Sequence, residues 1–207
     1  MAVSFDLFGT LVEVTPPDDP AQAVGTALTE RDISVPSDWE RIYTTPYIDT
    51  PPGAELSLDK HVDAALEDRG ISTSNSVIRA ALLDAFKAPV CTRTDAQTAV
   101  AVANDYGSVG ILSNCSVPGL VRYALSQSEL NLDVFDAVVS SVECGWRKPD
   151  ERAFREITGR LGVPPSELIH VGDDPETDGG ATEVGASVIL LDNVSLSDIP
   201  REMERTQ

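Results

Sequence analysis

Asp6 has the residue type and position that catalysis at the edge of a sheet requires. It follows a short apolar run at residues 2–5 and is followed at once by Leu7-Phe8-Gly9-Thr10, which predicts a strand that ends in a carboxylate and then turns. The carboxyl ends of strands are where open α/β sheets hold their ligands. There Asp6 can act as a nucleophile, as a metal ligand or as both. It can also simply cap a turn, and this stretch alone leaves both roles open.

Three later stretches supply further groups of the kind that would work with such a carboxylate. They are a hydroxyl and an amide that end a second apolar run, one lysine in a loop before a predicted helix, and three carboxylates that follow a third run: Ser113, Asn114, Lys148, Asp173, Asp174 and Asp178. Carboxylate oxygens are the ligands that Mg²⁺ prefers, and a lysine can neutralise an anion as a point charge. The order therefore predicts one site built from a nucleophile, a hydroxyl, a cation and an acidic cluster.

In this order the four stretches resemble the haloacid dehalogenase superfamily, whose members are mostly phosphotransfer hydrolases. The resemblance covers the whole chain except residues from about 14 to 90. It implies that Asp6 attacks phosphorus and forms an aspartyl-phosphate, since phosphoryl transfer depends on in-line placement and charge neutralisation. It also implies a Mg²⁺ ion, a small phosphorylated substrate and a set of metal ligands, which are Asp6, the backbone carbonyl of Phe8, Asp173 and Asp178, with Asp174 as the rival to Asp178.

The same resemblance implies roles for the remaining groups. Ser113 and Asn114 would bind the transferred phosphoryl oxygens, although they could also cap the helix that follows. Lys148 would bridge the nucleophile and the phosphate, with Arg147 as the rival cation. Thr10 would contact the substrate or support the loop after Asp6. The acidic loop at residues 173–178 could instead be solvated surface in so acidic a chain.

Phe8 departs from the pattern of the superfamily's phosphatases. Those enzymes usually carry a second aspartate two residues after the nucleophile, as a general acid and base, and this position is Phe8 here. An aromatic residue there resembles the 2-haloacid dehalogenase branch, whereas Asp173 and its acidic neighbours resemble the metal-dependent phosphatases. Three hypotheses stay open: a Mg²⁺-dependent hydrolase of small phosphate monoesters, a metal-independent 2-haloacid dehalogenase, and a binding scaffold with little turnover.

Alternating strands and helices must position these residues. The pattern predicts a doubly wound parallel sheet, the Rossmann-like core that the resemblance also implies. Strands are expected at residues 2–6, 108–113, 135–141, 168–172 and 187–191. Helices are expected between them at about 94–105, 117–127, 150–161 and 177–184. The charged C-terminus is expected to fray.

The segment 14–89 is expected to be a helical cap inserted after the first strand, so that 1–13 and 90–207 form the core. Helical spacing occurs near 20–31, after Ser37, and at 57–69 and 75–87, with no strand pattern between 13 and 90. Trp39, Tyr43 and Tyr47 could line a substrate pocket, but the small core of the cap itself is the favoured interpretation.

Composition limits the classes of partner. The 207 residues carry a net charge of −19, and only three of the 15 basic residues are lysine. Nothing forms a basic stripe, which argues against nucleic-acid binding. High net charge of this kind favours a halophilic protein over an ordinary acidic one. No apolar run reaches the roughly 20 residues that span a membrane, and no basic segment precedes the first strand, so a cytoplasmic location is expected.

Two further residue types have ordinary expected roles. Cys91, Cys115 and Cys144 lack the spacing of a zinc site and are expected to be reduced thiols, the latter two as small buried hydrophobic residues. His170 lies in the middle of an apolar run, where a buried histidine with its hydrogen bonds satisfied is favoured over a catalytic one. The sequence does not indicate an oligomeric state.

Overall fold

The computed structural model describes residues 1–192 and 194–205 and is built on a five-stranded parallel sheet. The strands are β1 Ala2–Phe5, β2 Val12–Val14, β3 Val90–Thr92, β4 Ser108–Ser113, β5 Phe135–Ser140, β6 Leu168–Gly172 and β7 Ser187–Leu190. Five of these strands form the main sheet in the order β5-β4-β1-β6-β7, with every pairing parallel. The first strand therefore lies in the centre of the sheet, and its end is surrounded by the ends of β4 and β6.

The helices are α1 Pro20–Thr29, α2 Trp39–Tyr43, α3 Leu58–Glu67, α4 Asn75–Phe86, α5 Ala96–Tyr106, α6 Leu120–Gln127, α7 Ser141–Cys144, α8 Glu151–Leu161 and α9 Ile199–Arg205. Of these, α5 and α8 pack against opposite faces of the main sheet. Successive side chains of a strand point to opposite faces. Accordingly Val109 and Ile111 belong to one hydrophobic cluster, and Leu112 belongs to a second one with Phe154 and Ile157 of α8. The predicted α/β fold with a parallel, doubly wound sheet is confirmed.

The insertion after β1 is mainly helical, as expected, and contains α1 to α4. Asp19 caps α1 by accepting a hydrogen bond from the Gln22 amide, with Pro20 at the first helical position. The Trp39 indole donates to the Ala21 carbonyl at 2.7 Å, and its ring lies 5.7 Å from that of Tyr43. These aromatic residues therefore pack inside the insertion, which agrees with the core interpretation.

Three elements differ from the prediction. β2 and β3 form an antiparallel pair where the chain leaves and re-enters the main sheet, although no strand was expected between 13 and 90. Three-residue strands are too short to show an alternating pattern. The C-terminus forms α9 rather than fraying, because Ile199 and Met203 are buried.

The other differences concern where helices begin and how tightly they wind. The helix expected at 177–184 is a 3₁₀ segment, Asp178–Val184, which contains two consecutive glycines. The expected start of α6 at Val117 moves to Leu120, because Pro118 and Gly119 precede it.

Among the described residues, no helix combines the length and the apolar character that crossing a bilayer would require.

Candidate active site

The predicted site residues meet at the carboxyl edge of the sheet. Asp6 follows β1, Ser113 ends β4 and Asp173 follows β6. One carboxylate oxygen each of Asp6, Asp173 and Asp178 lies within 4.8 Å of the others. Because β1 lies between β4 and β6, the fold itself gathers residues that are far apart in sequence.

Lys148 is the cation that reaches this cluster. Its Nζ lies 2.5 Å from Asp178 Oδ1 and 3.2 Å from Asp6 Oδ1, and its side chain is only 1% exposed. Arg147, the rival cation, points elsewhere: the acidic group nearest to its guanidinium is Glu55, at 4.0 Å. The structure therefore places the lysine, and not the arginine, beside Asp6.

Asp178 is fully buried and both of its oxygens are already engaged. Oδ1 also contacts His170 Nε2 at 3.0 Å, and Oδ2 accepts a hydrogen bond from the Asp174 amide at 3.0 Å. Burial alone would raise the pKa of Asp178, but the hydrogen bond from His170 and the charge of Lys148 outweigh it and hold that pKa well below its usual range. Both oxygens of Asp178 are therefore occupied by contacts with other groups of the protein.

His170 completes a buried chain of polar contacts below the site. Its Nδ1 lies 2.8 Å from Ser4 Oγ, and its ring meets Phe154 edge-on at 5.3 Å. Burial lowers the pKa of His170 despite the neighbouring Asp178, which favours the neutral ring. The Ser4 hydroxyl then donates to Nδ1 while Nε2–H donates to Asp178. His170 is thus a satisfied buried histidine, as the sequence favoured.

Two polar atoms at the site lack hydrogen bonds of adequate geometry within the described residues. They are Asp6 Oδ1 and Ser113 Oγ, both inaccessible to solvent. Burial raises the pKa of Asp6, and the charge of Lys148 opposes this rise. Asp6 Oδ1 has the ion pair with Lys148 Nζ at 3.2 Å but no hydrogen bond of good geometry. Buried polar atoms nearly always have such bonds, so these two atoms at one place indicate a site for another group. A carboxylate oxygen placed in this way beside Asp173 suits a hard divalent cation, so the residues present fit Mg²⁺.

Asp173 is oriented by the loop that follows β1. Thr10 is fully buried and its hydroxyl donates to Asp173 Oδ1 at 2.7 Å. Gly9 has φ +84°, and a Cβ added there would collide with the Asp173 carboxylate. Only glycine therefore permits this close approach of the turn to Asp173.

Asn114 holds the loop that carries Lys148. Its side-chain amide donates to the Lys148 carbonyl at 2.9 Å, and its side-chain oxygen accepts from the Lys148 amide at 2.8 Å.

Asp174 stabilises its own loop, where its carboxylate accepts hydrogen bonds from the Glu176 amide and the Thr177 hydroxyl. These contacts, like the link from His170 to Ser4, involve partners that no sequence motif identifies.

A cavity of about 310 Å³ lies beside the site. Its walls come from three loops of the main sheet and from the insertion: Phe8, Val14, Pro16, Glu55, Phe86, Asn114, Cys115, Ser116, Val117, Leu120 and Arg147. Glu55 is held there by the Ser141 hydroxyl, which donates to its carboxylate at 2.6 Å. Burial raises the pKa of the Cys115 thiol to about 11, which keeps it protonated and unreactive.

Comparison with known proteins gives one family and several partial relatives. A family model described as haloacid dehalogenase-like hydrolase matches residues 1–184. A glyceraldehyde 3-phosphate phosphatase from Methanothermobacter thermautotrophicus is 41% identical over 69 residues, which are 33% of this chain and 30% of that protein. A phosphoserine phosphatase from Thermus thermophilus is 35% identical over 99 residues, 47% of this chain and 39% of that protein. The chain thus spans less than half the length of these curated relatives.

Solved structures resemble the whole chain in fold. A 2-haloacid dehalogenase from Pseudomonas syringae matches with a TM-score of 0.72 and 22% identity, covering 100% of this chain and 99% of that one. An enzyme from Bacteroides thetaiotaomicron, in complex with magnesium and inorganic phosphate, matches with a TM-score of 0.57 and 17% identity, covering 91% and 92%. At these identities the likeness concerns the fold alone.

Proposed function

Because this chain belongs to the haloacid dehalogenase-like hydrolase family over residues 1–184, we propose that it is a Mg²⁺-dependent hydrolase of small phosphate monoesters. The observation that carries this proposal is the pair of carboxylates Asp6 and Asp173 at the sheet edge, with Lys148 Nζ 3.2 Å from Asp6 Oδ1 and buried Asp178 behind it. The phosphatases among its partial relatives support the same reaction. In this proposal the enzyme is cytoplasmic.

Asp6 is the nucleophile in this proposal. A carboxylate oxygen of Asp6 attacks phosphorus, and the bond from phosphorus to the ester oxygen breaks. The ester oxygen leaves with the organic group and takes a proton from solvent, while the phosphoryl group stays on Asp6 as an aspartyl-phosphate. A water molecule then attacks this phosphorus, loses a proton to solvent, and releases inorganic phosphate and the free carboxylate. A bound Mg²⁺ would neutralise charge on the phosphoryl oxygens. Asp6, the Phe8 carbonyl and Asp173 would hold the ion.

The contacts of the neighbouring residues refine the roles expected from the sequence. Asp178 has both oxygens engaged by protein groups, so we propose that it anchors Lys148 rather than the metal. Thr10 orients Asp173 through its 2.7 Å hydrogen bond, and Asn114 fixes the backbone of Lys148. Ser113, whose buried hydroxyl lies beside Asp6 without a hydrogen bond of adequate geometry, is the group left to bind the transferred phosphoryl oxygens.

A 2-haloacid dehalogenase is the second candidate, and Phe8 is the observation that favours it. No carboxylate stands at this position to protonate a leaving oxygen, and displacement of a halide needs none. The mostly apolar walls of the adjoining cavity would also suit a haloalkyl group. Against it stand Asp173 and its orientation by Thr10, since displacement of a halide needs no metal and therefore no second carboxylate to hold one.

The Asp6→Asn variant tests the proposal directly. An amide is neither a nucleophile nor a good ligand for Mg²⁺, so phosphate release should fall to background while the thermal unfolding midpoint changes little. Asp105→Asn, an exposed acid on α5, is the matched control and should keep wild-type turnover. Wild-type-like phosphate release by Asp6→Asn would remove Asp6 from the mechanism.

A further inference from the structure

We propose that the 310 Å³ cavity is the site of the leaving group, and that Arg147 selects phosphate esters whose organic part carries a carboxylate. The inference rests on the proposed phosphatase function. It assigns a chemical class of substrate to this chain, which membership of the family does not specify.

The position of the cavity connects it with the reacting atoms. Phe8, Asn114 and Arg147 all line it. Asn114 is adjacent in the chain to Ser113, Arg147 to Lys148, and Phe8 follows Asp6 by two residues. Three of the loops that build the site thus also build this cavity, so a phosphoryl group at Asp6 would direct its ester oxygen toward it.

The walls limit the carbon skeleton that fits. Most of the lining side chains are apolar, among them Val14, Phe86, Val117 and Leu120. The volume lies near the lower end of the roughly 300–1,000 Å³ that is usual for small-molecule sites. A compact, mainly apolar organic group therefore matches the cavity better than a sugar with many hydroxyls, whose polar groups would lose water without gaining partners.

Arg147 supplies a cation whose donors are mostly unused. Its closest acidic neighbour among the described residues is Glu55, at 4.0 Å from Nε, and the Glu55 oxygen concerned already accepts a hydrogen bond from Ser141 at 2.6 Å. The planar guanidinium presents two parallel N–H groups that match a carboxylate. In a chain of net charge −19, such a cation also reduces the repulsion that an anionic substrate meets.

The backbone of Arg147 is held while its side chain is half-exposed. The Arg147 amide donates to the Gly53 carbonyl at 3.0 Å, and the Glu55 amide donates to the Gly145 carbonyl at 2.9 Å. These bonds tie the insertion to the loop before Lys148. The side chain, 54% exposed, can then turn toward a ligand without moving the loop.

The test compares phenyl phosphate with its 3-carboxy, 4-carboxy and 4-phosphate analogues, in the presence of Mg²⁺. For the wild-type enzyme we expect kcat/KM to be about tenfold or more higher for one carboxylated ester than for phenyl phosphate, the size of a charge-assisted hydrogen bond. In Arg147→Gln this ratio should fall toward one, mainly through KM. Arg122→Gln, an exposed arginine that does not line the cavity, should keep the wild-type ratio.

Each other result overturns a stated part of the inference. Equal ratios in the wild type and Arg147→Gln, with phosphate released from all esters, would overturn the role of Arg147 and leave the phosphatase function standing. A stronger, Arg147-dependent preference for the bisphosphate would replace the carboxylate by a second phosphate. If no ester releases phosphate, the proposed function fails and the inference with it. If Arg147 is only the counter-ion of Glu55, Arg147→Gln will lower the unfolding midpoint and leave the ratio unchanged.

Discussion

Lys148 lies between two carboxylates, and its position depends on buried residues behind it. Asp178 holds Nζ at 2.5 Å, and His170 in turn donates to the same Asp178 oxygen at 3.0 Å. An ammonium group that is 1% exposed has lost its hydration, so these contacts must replace it. The buried chain from Ser4 through His170 to Asp178 therefore fixes the charge that faces Asp6.

Replacing His170 should alter activity as well as stability. In His170→Leu, Asp178 loses a hydrogen bond in a buried place, which costs about 1–3 kcal/mol of stability. We expect kcat/KM for a phosphate ester to fall, because Lys148 loses its fixed anchor. His170→Gln, which keeps an N–H donor, should recover part of this activity. Ser4→Ala, at the far end of the same series of hydrogen bonds, is the control. It should lower the thermal midpoint while kcat/KM stays closer to the wild-type value than in His170→Leu.

The pKa shifts give the sign of the pH dependence. The pKa of Asp178 is lower in the folded protein than its ordinary value of about 3.9. Asp178 therefore stabilises the fold at pH values above about 3.9, and this stabilisation is lost as the pH falls toward the folded-state pKa. Burial lowers the pKa of His170, so the unfolded chain takes up its proton first as the pH falls below about 6.5. Between neutral pH and about pH 4 the His170 effect is the larger one, so the wild-type midpoint should drop more than that of His170→Leu. Equal drops of the thermal midpoint in the wild type and in His170→Leu would contradict this account of Asp178 and His170.

Phe8→Asp should change the dependence of the rate on the leaving group. A positioned general acid typically contributes about 10²–10⁴-fold by protonating the leaving oxygen. An aryl phosphate needs this proton little and an alkyl phosphate needs it greatly, so the added carboxylate should raise the alkyl rate more. The measurement is the ratio of kcat/KM for the two esters at saturating Mg²⁺. The same ratio in both proteins would show that position 8 is not the place of an acid in this chain.

The local sequence pattern indicated which single residues lie at the sheet edge better than it indicated which of them contact each other. Asp6, Ser113, Lys148 and Asp173 follow strands or precede a helix, and that local pattern is visible in the chain. The contact of Asn114 with Lys148, and that of Thr10 with Asp173, join residues far apart in sequence. Only the strand order brings such pairs together, so their roles could not be read from the spacing.

The turn after β1 is the element on which the approach to Asp173 depends. We expect Gly9→Ala to lower both activity and stability, because Gly9 has φ +84° and an added Cβ would meet the Asp173 carboxylate. The readouts are kcat/KM for a phosphate ester and the thermal unfolding midpoint.

Gly159 provides the matched control for this substitution. It lies inside α8, and an added Cβ there meets no atom within 4 Å. Gly159→Ala should therefore keep activity and gain about 0.5–1 kcal/mol of stability, as expected for alanine in a helix. Wild-type activity in Gly9→Ala would contradict the role given to this turn.

Long elements with a clear period were predictable, and short ones were not. β4 and β6 are buried at nearly every position and mainly apolar, because both of their faces are covered, and such runs are visible in the sequence. β2 and β3 have three residues each and pair only because the insertion returns to its starting point. The C-terminal helix, Ile199–Arg205, buries only Ile199 and Met203, so its charged sequence suggested a frayed end.

The whole molecule carries 34 acidic and 15 basic residues. Much of the excess lies on the surface, where like charges repel one another in the folded state more strongly than in the extended chain. We propose that this surface suits a salty cytoplasm. If the proposed function holds, the charge also gives a reason for a cation beside the 310 Å³ cavity, because it would reduce the repulsion that an anionic substrate meets.

Molar salt should therefore raise stability. Salt shortens the screening length to about 3 Å at 1 M, which removes most repulsion between surface charges. We expect the thermal midpoint to rise from dilute buffer to molar KCl. A variant in which three exposed acids are neutralised, Glu67→Gln, Asp105→Asn and Glu183→Gln, should gain less from the same salt. A midpoint that stays flat or falls would count against the halophilic proposal.

The central claim is a metal-dependent reaction at phosphorus, and one paired assay tests it most directly. The wild-type protein is given a set of phosphate monoesters and a set of 2-haloacids, in high salt, first with Mg²⁺, then with excess chelator, and then with Mg²⁺ restored. We predict phosphate release that needs Mg²⁺, stops with chelator and returns with the metal, together with no halide release. Halide release that continues undiminished in chelator, without phosphate release, would contradict the claim and make this chain a dehalogenase.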